Sequence, residues 1–509
     1  MLLAQIVVAS REVAATRSRK AKVEILAAAL AAAPPEERET AASYLAGSLL
    51  QRRTGVGWRG VPRELDAVDE PRLTLTEVHE AFERLAALSG PGSRSQRAAE
   101  VAHLFGSATT DEQRWLGGVV TGGVRQGALD ALLQEALATA AGVPLTAVRR
   151  AAMLAGGTVP VVTVAFDRGE EGLAEVGLEV GRPVLPMLAA SAPNLTVAFA
   201  KLSDRPVAVE TKLDGIRIQV HRRGDDVVVA TRSLDTITHR LPEVVEAALS
   251  LPSEQFVLDG EALALDGQGR PRAFQDTASR TAQAGGVAVT PYFFDILHLD
   301  GTDLLDEPGA RRHDALVGLV PERWRVHRLV TDDAESAEAF ATEAVAAGHE
   351  GVVVKTLAER YAAGRRGAGW IKVKPVHTLD LVVLAVEWGS GRRQGWLSNI
   401  HLGARDADTG ELVMLGKTFK GMSDAMLVRQ TERFTELAVD RERIKDHYVV
   451  EVRPEQVVEI AFDGVQRSSR YLGGVALRFA RVLRYRDDKT PAEADTIQTV
   501  RSYLPATDG

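Results

Sequence analysis

Cysteine is missing entirely from the 509 residues. Disulfide staples and thiolate-held zinc are therefore excluded, and a reducing cytoplasm is the natural compartment. No run of ~18 uninterrupted apolar residues occurs, which leaves no membrane-spanning segment to expect. The opening MLLAQIVVAS is apolar but has no basic stretch before it, so it reads as a first helix rather than a secretory leader. An excess of positive charge is also lacking. The formal net charge of −8 argues against a uniformly basic nucleic-acid binder, although local basic grooves remain open. What is present, 45% hydrophobic and 26% charged residues, is the make-up of ordinary globular proteins. A chain this long exceeds one core, and about three domains are expected.

The texture changes twice along the chain. Residues 1 to about 180 read as helical. VEILAAALAAA (23–33), EVHEAFERLAAL (77–88) and ALDALLQEALATAAG (128–142) have helix-forming composition and apolar spacing near 3.6. Within WLGGVVTGGVRQGALD (115–130), glycines and Arg125 precede a helix. That arrangement suits either a phosphate contact or a tight helix-packing turn. The proline-bearing GRPVLPMLAASAPN (181–194) reads as an ordered linker. From about 195 to 375, short alternating strands alternate with helices. After Pro375, short strands with Gly-rich turns suggest a small barrel, interrupted by a helix at 424–438.

One stretch organises the rest, PVAVETKLDGIR at 206–217. On an extended strand Glu210, Lys212 and Asp214 would share a face, and IRIQVH then alternates as a half-buried strand does. VVVATR (227–232) pairs with it across the RGDD turn and delivers Arg232 nearby. A lysine between two carboxylates is either part of a surface ion-pair ladder, worth at most ~1 kcal/mol per pair, or a covalent nucleophile. A lysine among other cations gives up its proton more readily and can attack a phosphoanhydride. Similar alternatives hold further on. Glu261 and Glu350 fit simple partners of edge lysines, Phe294 fits core, and Lys372 and Lys374 fit solvated edge charges.

Taken in order, KLDGIR, DGEA, the FFD segment, EGVVVK, WIKVK and RFAR…RDDK resemble the motif set of the covalent nucleotidyltransferases, and more narrowly the ATP-dependent DNA ligases. The resemblance spans almost the whole chain. It implies a multidomain α+β protein with a helical N-terminal DNA-binding domain (1–190), a nucleotidyltransferase (adenylation) domain of antiparallel sheets and helices (195–375), and a C-terminal OB-fold barrel (376–509). It implies ATP as AMP donor, Mg²⁺, and a nicked duplex DNA partner for a cytoplasmic monomer.

The same resemblance implies roles. Lys212 would take AMP as a phosphoramidate, with Asp214 also essential. Glu210 would bond the adenine, Phe294 would stack on it and Val353 would cover its other side. Glu261 and Arg217 would engage the ribose. Arg232 would contact phosphate, Lys372 and Lys374 would bind the α-phosphate, and Arg366 precedes them as in family members. Glu350 would hold metal. Arg478, Arg481, Asp487 and Lys489 would orient the leaving pyrophosphate, and Arg125 becomes a DNA backbone contact. A capping-type nucleotidyltransferase, an RNA ligase and a non-catalytic DNA-binding homologue are the rival readings. The tail and the helical first third favour the DNA ligase, and the lack of cysteine disfavours an NAD-dependent one. A three-domain clamp closing across the linkers near 190 and 376 is the expected architecture.

Overall fold

The computed structural model describes residues 1–51, 53–62, 66–124, 130–202, 206–282, 286–362 and 366–504. Its first third is helical, from Leu3–Ala15 to Val162–Ala174. Helix starts follow local chemistry. Thr74 and Thr109 each accept from the amide three residues on, while Glu77 and Glu112 reach back to cap them. Such boxes satisfy donors that a helix start leaves orphaned. The apolar stripes of these helices meet in one core that runs from Leu3 to Leu173. The helices expected at 23–33, 77–88 and 128–142 are observed as Arg19–Ala31, Leu75–Ala87 and Asp130–Ala141.

The middle of the chain carries β1 (Leu188–Ala192), β2 (Val207–Lys212), β3 (Ile216–Arg223), β4 (Asp226–Thr231) and β5 (Gln255–Ala264). It continues with β6 (Val289–Leu299), β7 (Thr302–Asp303), β8 (Arg328–Thr331), β9 (Gly351–Thr356) and β10 (Arg366–Val373). These build two five-stranded sheets, β1-β10-β9-β2-β8 and β4-β3-β5-β6-β7. The stretch 181–194 is more than a linker, because its residues 188–192 form β1, parallel to β10 with Ser191 opposite Lys372. The sheets are thus not purely antiparallel. Asp214 also departs from its expected place, lying beyond the end of β2 in the bend to β3 rather than on the strand.

The last part carries β11 (His377–Trp388), β12 (Leu397–Arg405), β13 (Leu412–Thr418), β14 (Val449–Glu451) and β15 (Val457–Phe462). A hairpin β16 (Gly464–Arg467) and β17 (Val475–Arg478) follows, and then β18 (Arg481–Tyr485). The sheet β13-β12-β11-β15-β18 closes on itself. The Val482 amide donates to the Lys420 carbonyl at 3.0 Å, and the Thr418 hydroxyl to that of Ala480 at 2.5 Å. Leu427, Phe434 and Leu437 of the helix Asp424–Leu437 pack into the barrel core.

The two junctions differ. Met153 and Leu154, at the end of the helix Leu145–Leu154, share an apolar cluster with Val257, Leu297, Tyr361 and Trp370 of the middle sheets. Among the described residues, no apolar cluster joins the middle sheets to the barrel. Among the described residues that junction is made of ion pairs and hydrogen bonds, with Arg478 lying over the Phe274 ring.

Candidate active site

Strand β2 ends at Lys212, whose ammonium contacts the Glu350 carboxylate. The backbone fixes this meeting. Lys212 lies opposite Gly351, and the Glu350 amide donates to the Lys212 carbonyl at 3.2 Å. Gly351 has φ +139°, and a Cβ there would lie 2.4 Å from the Val373 carbonyl oxygen. Only glycine lets β9 start this close to β10. Lys374, just past β10, is thereby brought to 3.6 Å from Glu350. A second glycine, Gly215, passes over β5, where a Cβ would sit 2.3 Å from the Ala262 carbonyl oxygen. Its amide donates to Glu261 at 3.2 Å.

Glu210, two residues before Lys212 on β2, is 3% exposed. Lys355 of β9 approaches one of its oxygens at 2.5 Å and Arg328 of β8 the other at 2.9 Å. Burial pulls the Lys355 ammonium below its usual range, and Glu210 opposes that pull. Arg217 forms a fork with Asp259, both contacts 2.6 Å, and Asp259 also accepts from the Tyr361 hydroxyl at 2.7 Å. The Arg217 guanidinium lies 4.6 Å from the centre of the Phe294 ring, and the Lys355 ammonium 4.7 Å from it. Burial pushes the Glu261 carboxyl up to about 6, with Arg217 and Lys212 restraining the rise. Val353 sits between Glu210 and Lys372 in the strand register.

Beside this cluster a cavity of about 640 Å³ opens, lined by Arg53, Gly215, Arg217, Arg232, Arg240 and Phe274. Its arginines come from both the helical region and the middle sheets, so it is suited to phosphate groups. Among the residues expected from the tail, Arg478 reaches Asp214 at 2.6 Å and lies 4.9 Å from the Phe274 ring centre. Arg481 lies 3.5 Å from Asp463, which holds Lys374 at 2.5 Å. Asp487 and Lys489 are not brought to Lys212. Asp487 pairs with Arg429 and Gln456, and Lys489 with Asp380 at 2.6 Å, all within the barrel. Their place in the strand-end turn after β18 faces the barrel's own charges. Arg125 lies outside the described residues, as does the Arg366 side chain, whose backbone opens β10.

Four participants were not singled out for a role from sequence: Asp463, Asp259, Arg328 and Lys355. Only the last had a signal, as the exit of EGVVVK. Asp463 sits in AFDG and Asp259 in DGEA without a spacing rule that marks them. No group of three or more acidic or histidine side chains is gathered as a metal cage among the described residues. A hard divalent ion held mainly by substrate phosphates needs only one or two carboxylates, and Glu350 fits that part. Arranged this way, the site can hold an anionic phosphate between Lys374 and the tail arginines, in front of the Lys212 amine, while Lys372 lies two residues before Lys374 on β10, opposite Val353.

Family models agree along the chain. The ATP dependent DNA ligase domain matches residues 186–374, the ATP dependent DNA ligase C terminal region 393–489, and the DNA ligase N terminus 45–138. A probable DNA ligase of a Nocardioides species is 66% identical over 509 residues, covering 99% of each chain. One from Kineococcus radiotolerans is 63% identical over 503 residues, covering 98% of this chain and 99% of its own. The solved chain Pmar-Lig_PreS3 superimposes with a TM-score of 0.61 at 18% identity, over 94% of this chain and 99% of its own, and so shares the fold. From its N-terminal helices to its barrel, this chain belongs to the family of ATP-dependent DNA ligases.

Proposed function

We propose that the chain seals nicks in duplex DNA in three steps at the Lys212 site. In the first, the Lys212 amine attacks the α-phosphorus of ATP. A P–N bond forms, the P–O bond to pyrophosphate breaks, and the amine's proton leaves with the departing pyrophosphate. AMP then moves to the 5′-phosphate of the nick, and the 3′-hydroxyl displaces it to close the strand.

The observation that carries this reading is the juxtaposition of Lys212, Glu350 and Lys374, with Arg478 of the barrel bound at Asp214. Charge develops on the α-phosphate and the leaving pyrophosphate, and fixed cations stabilise it. Lys372 and Lys374 serve the α-phosphate, and Arg478 and Arg481 the pyrophosphate. Arg232 serves phosphate, with Arg53 and Arg240 beside it in the cavity. Glu210, Phe294 and Val353 bind adenine, and Arg217 and Glu261 bind ribose. Glu350 would hold Mg²⁺, which when bound neutralises phosphate charge. We read residues 1–190 as the unit that grips the duplex, 195–375 as the adenylating unit and 376–509 as the moving barrel. The polar junction near 376 supports motion of the barrel, whereas the apolar seam at Met153 and Leu154 supports a fixed attachment near 190.

Incubation with α-labelled ATP and a nicked duplex tests the reading, with Lys212→Ala beside it. The variant should take up no label and seal no plain nick, yet retain sealing of a pre-adenylylated nick. An adduct mapped to another side chain, or labelling by GTP in place of ATP, overturns it.

A further inference from the structure

Lys355 is buried, charged and in contact with aromatic rings, yet none of the proposed steps uses it. It is 6% exposed. Its ammonium lies 2.5 Å from Glu210, donates to the Phe294 carbonyl at 3.4 Å, and stands 4.1 Å from the Trp370 ring centre. Across three neighbouring strands, β9 supplies Lys355, β2 Glu210 and β8 Arg328, with Lys355 opposite Ala208 and Glu210 opposite Arg328. Each carboxylate oxygen of Glu210 therefore has its own cation. A carboxylate accepts hydrogen bonds and donates none, whereas a protonated carboxyl donates. Stripped of a cation, a buried carboxylate loses a hydrogen bond that fixes its plane and is freer to rotate.

We infer that Lys355, together with Arg328, is a positioning residue that makes Glu210 an acceptor-only reader of the nucleobase. The ligand class this selects is a purine with a 6-amino group, which donates, over one with a 6-oxo group, which only accepts. The inference rests on the reading of Glu210 as the adenine contact. Neither cation touches the reacting phosphate in this scheme, so both act on the choice of base and leave the Lys212 chemistry alone. Arginine at position 355 can keep the charge, while methionine keeps length and loses it.

Initial rates of lysyl-nucleotide formation with α-labelled ATP and α-labelled inosine triphosphate decide the matter, measured on the full chain. The wild type should prefer ATP by a factor on the order of 10². Lys355→Met and Arg328→Gln should each lower the ATP-to-inosine-triphosphate ratio by roughly ten-fold, and Lys355→Arg should retain most of it. Should both substitutions slow the two nucleotides by one common factor, the inference is overturned and Lys355 is merely structural. If Lys355→Met melts below the assay temperature, Arg328→Gln decides alone. Glu210→Gln separates the two failures. A ratio that collapses in Glu210→Gln but stands in Lys355→Met and Arg328→Gln defeats only the role of the cations. A ratio untouched by Glu210→Gln defeats the adenine reading itself.

Discussion

Gly351→Ala is the sharpest small perturbation of this site. The added methyl would lie 2.4 Å from the Val373 carbonyl oxygen and 2.9 Å from the Lys374 Cα, where ordinary contact begins at 3.4 Å. Strand β10 must therefore part from the start of β9 by about 1 Å, and the obstacle is backbone that cannot swing away. Lys374 moves with β10 and Glu350 with β9, so the 3.6 Å approach of those two groups is lost. A misplacement of about 1 Å in a positioned reaction costs on the order of 10²-fold in rate. The φ of +139° adds roughly 1–3 kcal/mol of strain for any side chain, which at roughly 2–4 °C per kcal/mol lowers the melting temperature by about 2–12 °C. Single-turnover labelling of the protein by ATP, at saturating nucleotide and well below the melting temperature, reads the rate directly. A labelling rate within threefold of wild type, in a folded variant, refutes the reasoning, since the strands would then have parted without consequence for Lys212.

Other substitutions test other parts of the structure. Arg312→Met removes two bonds to Asp295, at 2.8 and 3.0 Å, and two to the Glu307 and Glu359 carbonyls, at 2.7 and 3.0 Å. It leaves Asp295, 4% exposed, as an unpaired buried charge, so urea unfolding should show a loss of about 3–5 kcal/mol; a loss under 1 kcal/mol contradicts this. Glu261, pushed up to about 6 by burial, is protonated more readily in the folded chain than in the unfolded one. Its cost to folding is absent below the ordinary carboxyl value near 4.5 and complete above about 6, so stability falls as pH rises through that window. Glu261→Gln should flatten the pH dependence of unfolding between those limits, and an unchanged slope counts against the assignment. Asp463→Asn frees Lys374 from a carboxylate that nucleotide phosphate would have to displace. The KM for ATP in adenylylation should fall about five-fold, as for an ion pair of about 1 kcal/mol; a raised KM would mean that Asp463 helps bind nucleotide.

Local pattern made the nucleophile strand legible, because strict alternation marks β3, the shared face of Glu210 and Lys212 marks β2, and a continuous apolar run marks 349–355 as a strand. It also placed Glu350 at a strand entrance, whereas Lys212 and Lys374 were read on strand faces and stand in the structure at the last residue of β2 and just past β10. The hairpin of β3 with β4 was legible from its turn, but the neighbours of strands far apart in the chain were not. The order β1-β10-β9-β2-β8 sets Lys355 against Glu210 and Arg328, and no local spacing encodes that diagonal. The same holds for Arg478 and Asp214, which are 264 residues apart. Stretch 181–194 read as linker because Pro183 and Pro186 dominate its composition, yet β10 offers its residues 188–192 a free edge. Asp487 and Lys489 were drawn to the site by motif order alone. Their charges are already met by Arg429 and Asp380 inside the barrel.

The seam between barrel and middle sheets is joined by Arg478 to Asp214, Lys374 to Asp463, and the Gln275 amide to the Arg467 carbonyl. Detaching a surface held this way wets charges and uncovers almost no oil-like area. Swinging the barrel aside should then leave little trace in calorimetric heat capacity or in denaturant sensitivity, while its equilibrium shifts steeply with added salt. The helical third, seated through Met153 and Leu154, should behave in the opposite way: salt should touch only its exposed Arg150–Asp306 pair, and release should carry a cost that grows with temperature as apolar surface does.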